Sequence, residues 1–222
     1  MKFSVKYKPT TLFTLKDSNS TNSGAKSLFL PSPYAIKMAI INQAITIGNE
    51  LAEFQTAKSR NFSIIRDAVI HFKIPENSFI CVNNSYVKIL KPSRSNAGFD
   101  ATVAFREYVQ LPEYLEMIFE VESQEGVNYL RQYLHYINYF GKRGCFFQFI
   151  EYLEYPSYPN VSVFQVVENH SGIIQQFDDF PPTATFAQIN NYSNTRGARE
   201  QHIWILPLRS IGSSKSFTAY RV

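Results

Sequence analysis

Cysteine and histidine are scarce in this chain, and the few present lack the spacing of a metal site. Two cysteines, Cys81 and Cys145, and four histidines occur among 222 residues. The cysteines lie far apart in apolar, strand-like segments, which excludes a zinc site and a disulfide framework. We expect both to be buried thiols of a protein in a reducing cytosol. The sequence therefore predicts neither a metal nor a cofactor.

Long apolar runs and the common catalytic motifs are also missing. The opening MKFSVKYKP has no apolar core of a signal peptide, and no run is long enough to span a bilayer. These features predict a cytoplasmic protein without membrane contact. No glycine-rich stretch matches a phosphate-binding loop or a dinucleotide fingerprint, and no serine lies in a nucleophile elbow. We find no catalytic constellation in the sequence.

Aromatic residues are abundant and the charge is mildly basic. The chain contains 19 phenylalanines and 14 tyrosines, carries a net charge of +4 and has a pI near 8.9. Aromatic side chains suit both β-sheets and the stacking of nucleic-acid bases. The charge is compatible with a nucleic-acid partner, although many unrelated globular proteins have a similar balance.

The first half of the chain alternates between strand and helix patterns. Residues 2–8 predict a strand with an apolar face and a basic face, and residues 16–26 a mobile loop. A helix is predicted to begin with Ser32 as N-cap and Pro33, and to end at Gly48. A short helix over 50–58 and strands over 63–72 and 78–91 follow, with a possible turn at 83–85. The buried stripe of the first helix is predicted to be Ile36, Ala39, Ile40, Ala44 and Ile47.

The stretch from Phe105 to Gly144 predicts a strand, a bend at Leu111–Pro112, a helix and a basic loop. Apolar residues recur at helical spacing from Val127 to Ile137, and the helix is expected to stop at Gly141. A further strand opens at Cys145. Strand, helix, loop and strand form half of a split βαβ unit.

Two interpretations of the loop GKRG remain open. Glycines let a backbone approach a ligand closely, and Lys142 and Arg143 add charge for a phosphate. A helix C-cap at Gly141 followed by solvated basic residues accounts for the same pattern.

Basic residues in loops and beside aromatic residues are the candidates for binding single-stranded RNA. Sheet-based modules hold such RNA by backbone contacts and aromatic stacking, but separate solvated charges would give the same composition. The candidate RNA-binding residues are Lys26, Lys37, Lys88, Lys91, Arg94, Arg106, Gly141, Lys142, Arg143, Gly144, Arg196 and Arg199.

The composition changes after Tyr152, where tyrosine and proline mark a boundary. Strands are predicted over Val161–Val167, Ile203–Leu208 and Phe217–Arg221. Asp178 and Asp179 could hold a metal, but a solvated turn before Pro181 is the simpler interpretation.

The order of these motifs resembles the Cas-five family of type I CRISPR Cascade complexes, in the RAMP superfamily. The resemblance covers roughly residues 1–150. It rests on the helix start Pro31–Ser32–Pro33, the strand Arg106–Val109, the bend Leu111–Tyr114 and the loop Gly141–Gly144. No single motif is diagnostic, and the C-terminal part matches only loosely.

The resemblance implies an α+β fold with a ferredoxin-like, RNA-recognition-motif βαββαβ core. The core would cover residues 1–152, including a β-hairpin thumb at about 75–102 with Lys88, Lys91 and Arg94 near its tip, and a small β-rich C-terminal part would cover 153–222. It also implies a role in antiviral defence or RNA-guided transposition. Such a subunit caps the 5′ handle of the crRNA, contacts the backbone subunit and the large subunit of Cascade, and meets target DNA only indirectly.

Two other functions stay open at the level of sequence. Members of one subtype of the family process repeat RNA, which implies a metal-independent endoribonuclease. Its candidates would be His135 or His71 with Tyr108 and Lys142, but no such cluster is visible, and we expect a non-catalytic protein. A protein–protein adaptor without RNA contact is the third possibility.

Overall fold

The structure is a computed structural model that describes residues 1–19, 26–95, 97–166, 170–190, 192–195 and 197–222. None of the helices in these ranges is both long and apolar enough to cross a bilayer. The elements, in chain order, are β1 (Lys2–Pro9), β2 (Leu15–Lys16), β3 (Ser27–Leu28), α1 (Pro33–Thr46), α2 (Leu51–Phe54), α3 (Arg60–Asp67), β4 (Val69–Lys73), β5 (Phe79–Pro92), β6 (Phe99–Gln110), β7 (Leu115–Glu120), α4 (Gln124–Leu134), β8 (Phe147–Leu153), β9 (Ser162–Val163), β10 (Ile173–Asp179), α5 (Phe186–Ile189), β11 (Glu200–Leu206), β12 (Arg209–Ser213) and β13 (Phe217–Arg221).

The central sheet has the strand order β4-β7-β1-β8, and every neighbouring pair is antiparallel. The alternation predicted for β1 is confirmed: Phe3, Val5 and Tyr7 are buried on one face. Helix α4 lies on this face, because the Tyr7 hydroxyl donates to the carbonyl of Leu134. The basic face of β1 is largely neutralised, since Lys2 pairs with Glu120 and Lys6 pairs with Glu151.

The opposite face of this sheet is crossed by the segment 154–160, which we call the strap. It leaves the edge strand β8, meets β7 where the Ser157 amide donates to Glu116, and reaches β4, where Asn160 bonds the backbone of Ile74. The carboxylate of Glu116 is 1% exposed and also accepts from the Ser4 hydroxyl at 2.6 Å. Much of this sheet face is therefore covered by the chain itself.

Helix α1 begins as the sequence predicts. The Ser32 hydroxyl accepts from the Ala35 amide at 3.3 Å, and Pro33 occupies the first turn, where its missing amide hydrogen costs nothing. Ile36, Ile40 and Ala44 are fully buried. The prediction for Ile47 is wrong: it is the C-cap of the helix and is 49% exposed.

A long antiparallel hairpin, β5–β6, projects as predicted, but its strands run to residue 110 rather than to about 102, so the strand expected from Phe105 belongs to the hairpin. Its register runs without a break from Cys81 opposite Gln110 to Pro92 opposite Phe99. The turn considered at 83–85 does not form, because these residues pair directly with Tyr108, Glu107 and Arg106. Strand β13 adds to the base of β5, so the chain end stiffens the point from which the hairpin leaves.

Two helix boundaries differ from the sequence prediction. Residues 63–67, predicted as strand, belong to α3, because Ser59 caps the Phe62 amide and the apolar residues Phe62 and Ile65 fall on one buried helical face. Helix α4 ends at Leu134 with His135 as C-cap, well before Gly141. Gly141 is therefore not a helix cap, which removes one of the two interpretations of the GKRG loop.

Strands β9, β10 and β11 form a second antiparallel sheet, in the order β10-β11-β9, that shares its core with the first part of the chain, whereas β12 and β13 extend the hairpin sheet. Phe72 of β4 contacts both Phe177 of β10 and Trp204 of β11. The α+β class with mainly antiparallel sheets is confirmed. The division between residues 152 and 153 stays a prediction.

Candidate nucleic-acid interface

A cleft of about 490 Å³ lies between α1, β10 and the loop that follows α4. Its walls carry three basic side chains from segments far apart in the sequence. The residues that line it are Thr14, Leu15, Lys16, Ser18, Leu28, Ser32, Tyr34, Ala35, Met38, Ala39, Asn42, Tyr139, Gly141, Lys142, Gln176, Asp178, Tyr192 and Arg199.

One exposed face of α1 forms a wall of the cleft. Ala35, Met38, Ala39 and Asn42 line it at the spacing of neighbours on a helix surface. Ala35, Met38 and Ala39 are apolar and partly buried, whereas Asn42 is exposed. This wall offers a flat, uncharged surface with a single amide at its end.

Arg199 is held in place beside the N-terminal end of α1. Its guanidinium lies 4.3 Å from the centroid of the Tyr34 ring and 2.5 Å from the carboxylate of Asp178. Asp178 is also fixed, since it accepts from Ser18 at 2.8 Å and from Gln201 at 2.9 Å. An arginine stacked on a ring and paired on one side still has donors for a phosphate or a base.

Lys142 and Gly141 bring the predicted GKRG loop into the cleft. Gly141 has φ +72°, and a Cβ there would lie 2.9 Å from a methyl group of Leu15. The loop is closed by the Cys145 amide, which donates to the carbonyl of Lys142 at 3.2 Å. Glycine is thus required both by backbone conformation and by the close approach of the loop to the cleft wall.

Three tyrosines complete the lining. Tyr34 is 8% exposed and supports Arg199, Tyr139 is partly buried, and Tyr192 is 98% exposed. Burial raises the pKa of the Tyr34 hydroxyl, so it stays protonated at neutral pH. Aromatic rings beside arginine and lysine form a lining typical of sites for single-stranded nucleic acids.

Of the predicted RNA-binding residues, the structure brings Gly141, Lys142 and Arg199 together in this cleft. Arg143 and Gly144 are exposed in the same loop, and Lys26 is exposed beside β3. Arg106 is partly buried on β6, where it contacts the carbonyl of Phe105. Arg196 lies outside the described residues.

Lys37 does not fit its predicted role in RNA binding. Its side chain is 2% exposed, and its ammonium group lies 2.7 Å from Asp179 and 2.8 Å from the carbonyl of Arg66. Burial lowers the pKa of Lys37 and raises that of Asp179, and the attraction within the pair opposes both shifts. The expected solvated turn at Asp178 and Asp179 is also wrong, because both carboxylates are paired at the end of β10.

Lys88, Lys91 and Arg94 are exposed in the outer part of the β5–β6 hairpin. Large apolar side chains are exposed on the hairpin beside these three basic residues. Lys91 lies opposite Asp100, and Lys88 lies opposite Val103 on a face with large exposed apolar side chains. That face, which we call the apolar hairpin face, contains Tyr86, Leu90, Phe99 and Val103, at 77%, 69%, 68% and 55% exposure.

Sequence reasoning missed Lys16, Tyr34, Asn42 and Tyr192. The available signal for Tyr192 was an aromatic residue inside a stretch of asparagine and serine, where no core is expected. Lys16 was assigned to a mobile loop, whereas it pairs with Ser27 in the short β2–β3 ladder. No local pattern marks Asn42, because its role depends on which face of α1 is left uncovered.

The candidate residues of an endoribonuclease lie on separate elements. His71 is on the edge strand β4 beside Glu120, and His135 follows α4, where Tyr152 and the Arg131 carbonyl are its neighbours. Tyr108 is on β6, and Lys142 is in the cleft. Within the described ranges, no cluster of histidine, cysteine and acidic residues could hold a metal.

Comparison with known proteins shows a distant similarity in sequence. No protein-family model matches the chain. It is 25% identical over 198 residues to a curated protein from Archaeoglobus fulgidus named CRISPR-associated protein Cas5, a match that covers 84% of this chain and 83% of that protein. Among solved structures, a CRISPR protein from Archaeoglobus fulgidus superimposes with a TM-score of 0.43 at 12% identity, over 100% of this chain and 91% of the other.

Substitution of Lys37 tests its assignment to the core. We expect Lys37→Met to destabilise the protein by about 3 kcal/mol, because it leaves Asp179 as an unpaired charge in a largely buried position. The double variant Lys37→Met/Asp179→Leu should recover most of this loss. Denaturant unfolding of both variants and the wild type measures the difference. A fully stable Lys37→Met protein that binds RNA poorly would contradict the assignment.

Proposed function

We propose, from the resemblance to the Cas5 family and from the sequence match that supports it, that this protein is an RNA-binding subunit of a type I CRISPR Cascade complex. In this proposal it holds the 5′ handle of the crRNA and contacts the backbone and large subunits. The match supports the association with CRISPR systems, and the lining of the cleft supports the RNA contact.

The cleft is the observation that carries the proposal. It gathers Lys16, Lys142 and Arg199 with tyrosines, in the combination that tracks a phosphate backbone and stacks bases. Arg199 is oriented by Asp178 and Tyr34 before any ligand arrives, so little side-chain entropy is lost on binding. A solvated charge without these neighbours would lack that advantage.

The strap favours the cleft over the open sheet as the RNA site. We propose a ferredoxin-like core in which β1, β4, β7 and β8 are the four strands, supported by their order and antiparallel pairing. RNA-recognition motifs of this topology stack bases on the sheet face that has no helices. Here the strap crosses that face and buries Glu116, so bases must be held elsewhere.

The hairpin is proposed to dock a neighbouring protein subunit through its apolar face. Four large side chains on one side of a two-stranded ribbon are costly to leave in water, and such a ribbon is marginal by itself. Lys88 lies on this face and Arg94 at the tip, where they could reach RNA that passes along the partner. In this proposal the apolar side chains of the hairpin contact protein and its basic side chains contact RNA.

The proposed role is non-catalytic. General acid–base cleavage of RNA needs a base and a proton donor within reach of one phosphodiester. His71 pairs with Glu120, and His135 contacts Tyr152 and the Arg131 carbonyl, so neither histidine is paired with Tyr108 or Lys142, which favours binding over cleavage. Labelled repeat RNA incubated with the protein in EDTA should remain intact, and discrete products would support the endoribonuclease instead.

The salt dependence of RNA binding tests the cleft. We expect Lys16→Gln/Lys142→Gln to weaken binding of single-stranded repeat RNA about tenfold or more. The slope of log K against log salt should become shallower by about 1.4, since each neutralised phosphate of a single strand contributes about 0.7. Titrations at several salt concentrations give both quantities.

A matched control removes the same charge elsewhere. Lys58 and Lys215 are exposed and lie outside the cleft, so Lys58→Gln/Lys215→Gln should change the affinity and the slope much less. Equal effects of the two double variants would mean that the RNA is held only by net charge. A wild-type protein without salt-dependent RNA binding would favour the adaptor.

Two hairpin variants separate protein docking from RNA contact. Leu90→Ser/Phe99→Ser should prevent co-purification with the other subunits but leave RNA binding by the isolated protein unchanged. Lys88→Glu/Lys91→Glu/Arg94→Glu should block assembly on crRNA while the isolated subunit stays folded. Co-expression with the neighbouring genes and purification at physiological salt provide the measurement. Normal assembly of both variants would show that the hairpin has no part in the complex.

A further inference from the structure

We propose that the cleft binds a single unpaired nucleotide of the RNA, with its base against α1 and its phosphate at the basic side. The inference rests on the proposed RNA-binding function and adds to it a site that reads one base. Asn42 is assigned as the residue that contacts the edge of this base, and Tyr192 as the residue that covers it.

The two sides of the cleft differ in the way that the two parts of a nucleotide differ. Ala35, Met38 and Ala39 of α1 present an uncharged surface, whereas Lys16, Lys142 and Arg199 supply positive charge from other segments of the lining. A phosphate backbone alone would need only the charged side. An apolar wall in the same cleft as the charges is explained by a ring that packs on it.

The size of the cleft agrees with one nucleotide. Its volume of about 490 Å³ falls within the range of about 300–1,000 Å³ found for small-molecule sites. The base would have to leave the stack to enter, which is inexpensive in a single strand. Bases splayed from single-stranded RNA are commonly recognised at their edges.

Asn42 is placed to make that recognition. It lies on α1 one turn beyond Met38 and Ala39, at the end of the apolar wall, and its side chain is exposed. A carboxamide offers both a donor and an acceptor, which matches the paired polar atoms on the edge of a base. Gln176, the other amide of the cleft, is already bonded to Asn19 and Gln201.

Tyr192 gives a second, independent reason to place a base here. Its ring lines the cleft and is 98% exposed, so almost nothing in the protein packs on it. A base in the cleft would provide a partner for this ring. Stacking of one base on an aromatic side chain contributes roughly a tenfold change in affinity or more.

The experiment moves one abasic nucleotide along the single-stranded repeat RNA and measures affinity at each position. For the wild-type protein we expect one position at which loss of the base weakens binding about tenfold. Ala39→Leu, which fills the cleft without a change of charge, should weaken binding of intact RNA and abolish the effect at that position. Thr46→Leu, at an exposed site on α1 outside the cleft, should behave like wild type.

Two further variants keep the test decisive if Ala39→Leu fails to fold. Tyr192→Ala changes a side chain that is not part of the core. It should weaken the binding of intact RNA but leave the binding of RNA with the critical abasic site unchanged. Asn42→Ala should reduce the difference between the four bases at the critical position. A residue with only a structural role would not change that preference.

The outcomes separate this inference from the proposed function. If RNA binds with its normal affinity and salt slope but no position responds to base removal, the cleft holds backbone only, and the nucleotide site is wrong while the RNA-binding role stands. If wild-type protein does not bind RNA, both are wrong. If the critical position responds equally in wild type and in both Ala39→Leu and Tyr192→Ala, the base is bound outside this cleft.

Discussion

The alternation of Asp178 and Asp179 at the end of β10 is the constraint on which the cleft depends. Adjacent residues of a strand point to opposite faces, so one carboxylate reaches Lys37 inside the protein and the other reaches Arg199 at the cleft. The first pair ties α1 to the second sheet. The second pair, between Asp178 and Arg199, holds the Arg199 guanidinium at the cleft between α1 and β10. A shift of β10 by one residue would exchange the two faces and remove the site.

The strap and the hairpin determine which surfaces of this mainly antiparallel fold stay open. The strap buries Ser4 and Glu116 on the helix-free face. The hairpin carries exposed apolar residues away from the core instead of burying them. One face of the central sheet is thus largely closed, and open surface remains in the cleft and along the hairpin.

Much of the local structure could be predicted from the sequence. The start of α1 follows from Ser32 and Pro33, the burial of β1 from its period of two, and β13 from a short alternating segment. The boundaries that failed are those with competing signals. Residues 63–67 satisfy a strand pattern and a helix pattern alike, and the cap at Ser59 decides between them. Ile137 continues the helical spacing of α4 although the helix has already ended.

The sequence by itself determined the start of α1, the alternation of β1, a projecting hairpin, the resemblance to one family and the presence of a glycine-rich basic loop. Only the tertiary structure decided which charges face outward. Lys37 and Arg199 both belonged to the same set of candidates, yet one is buried against Asp179 and the other is displayed beside Tyr34. The reason is physical: the environment of a charge depends on partners from distant segments, and local patterns do not contain those partners.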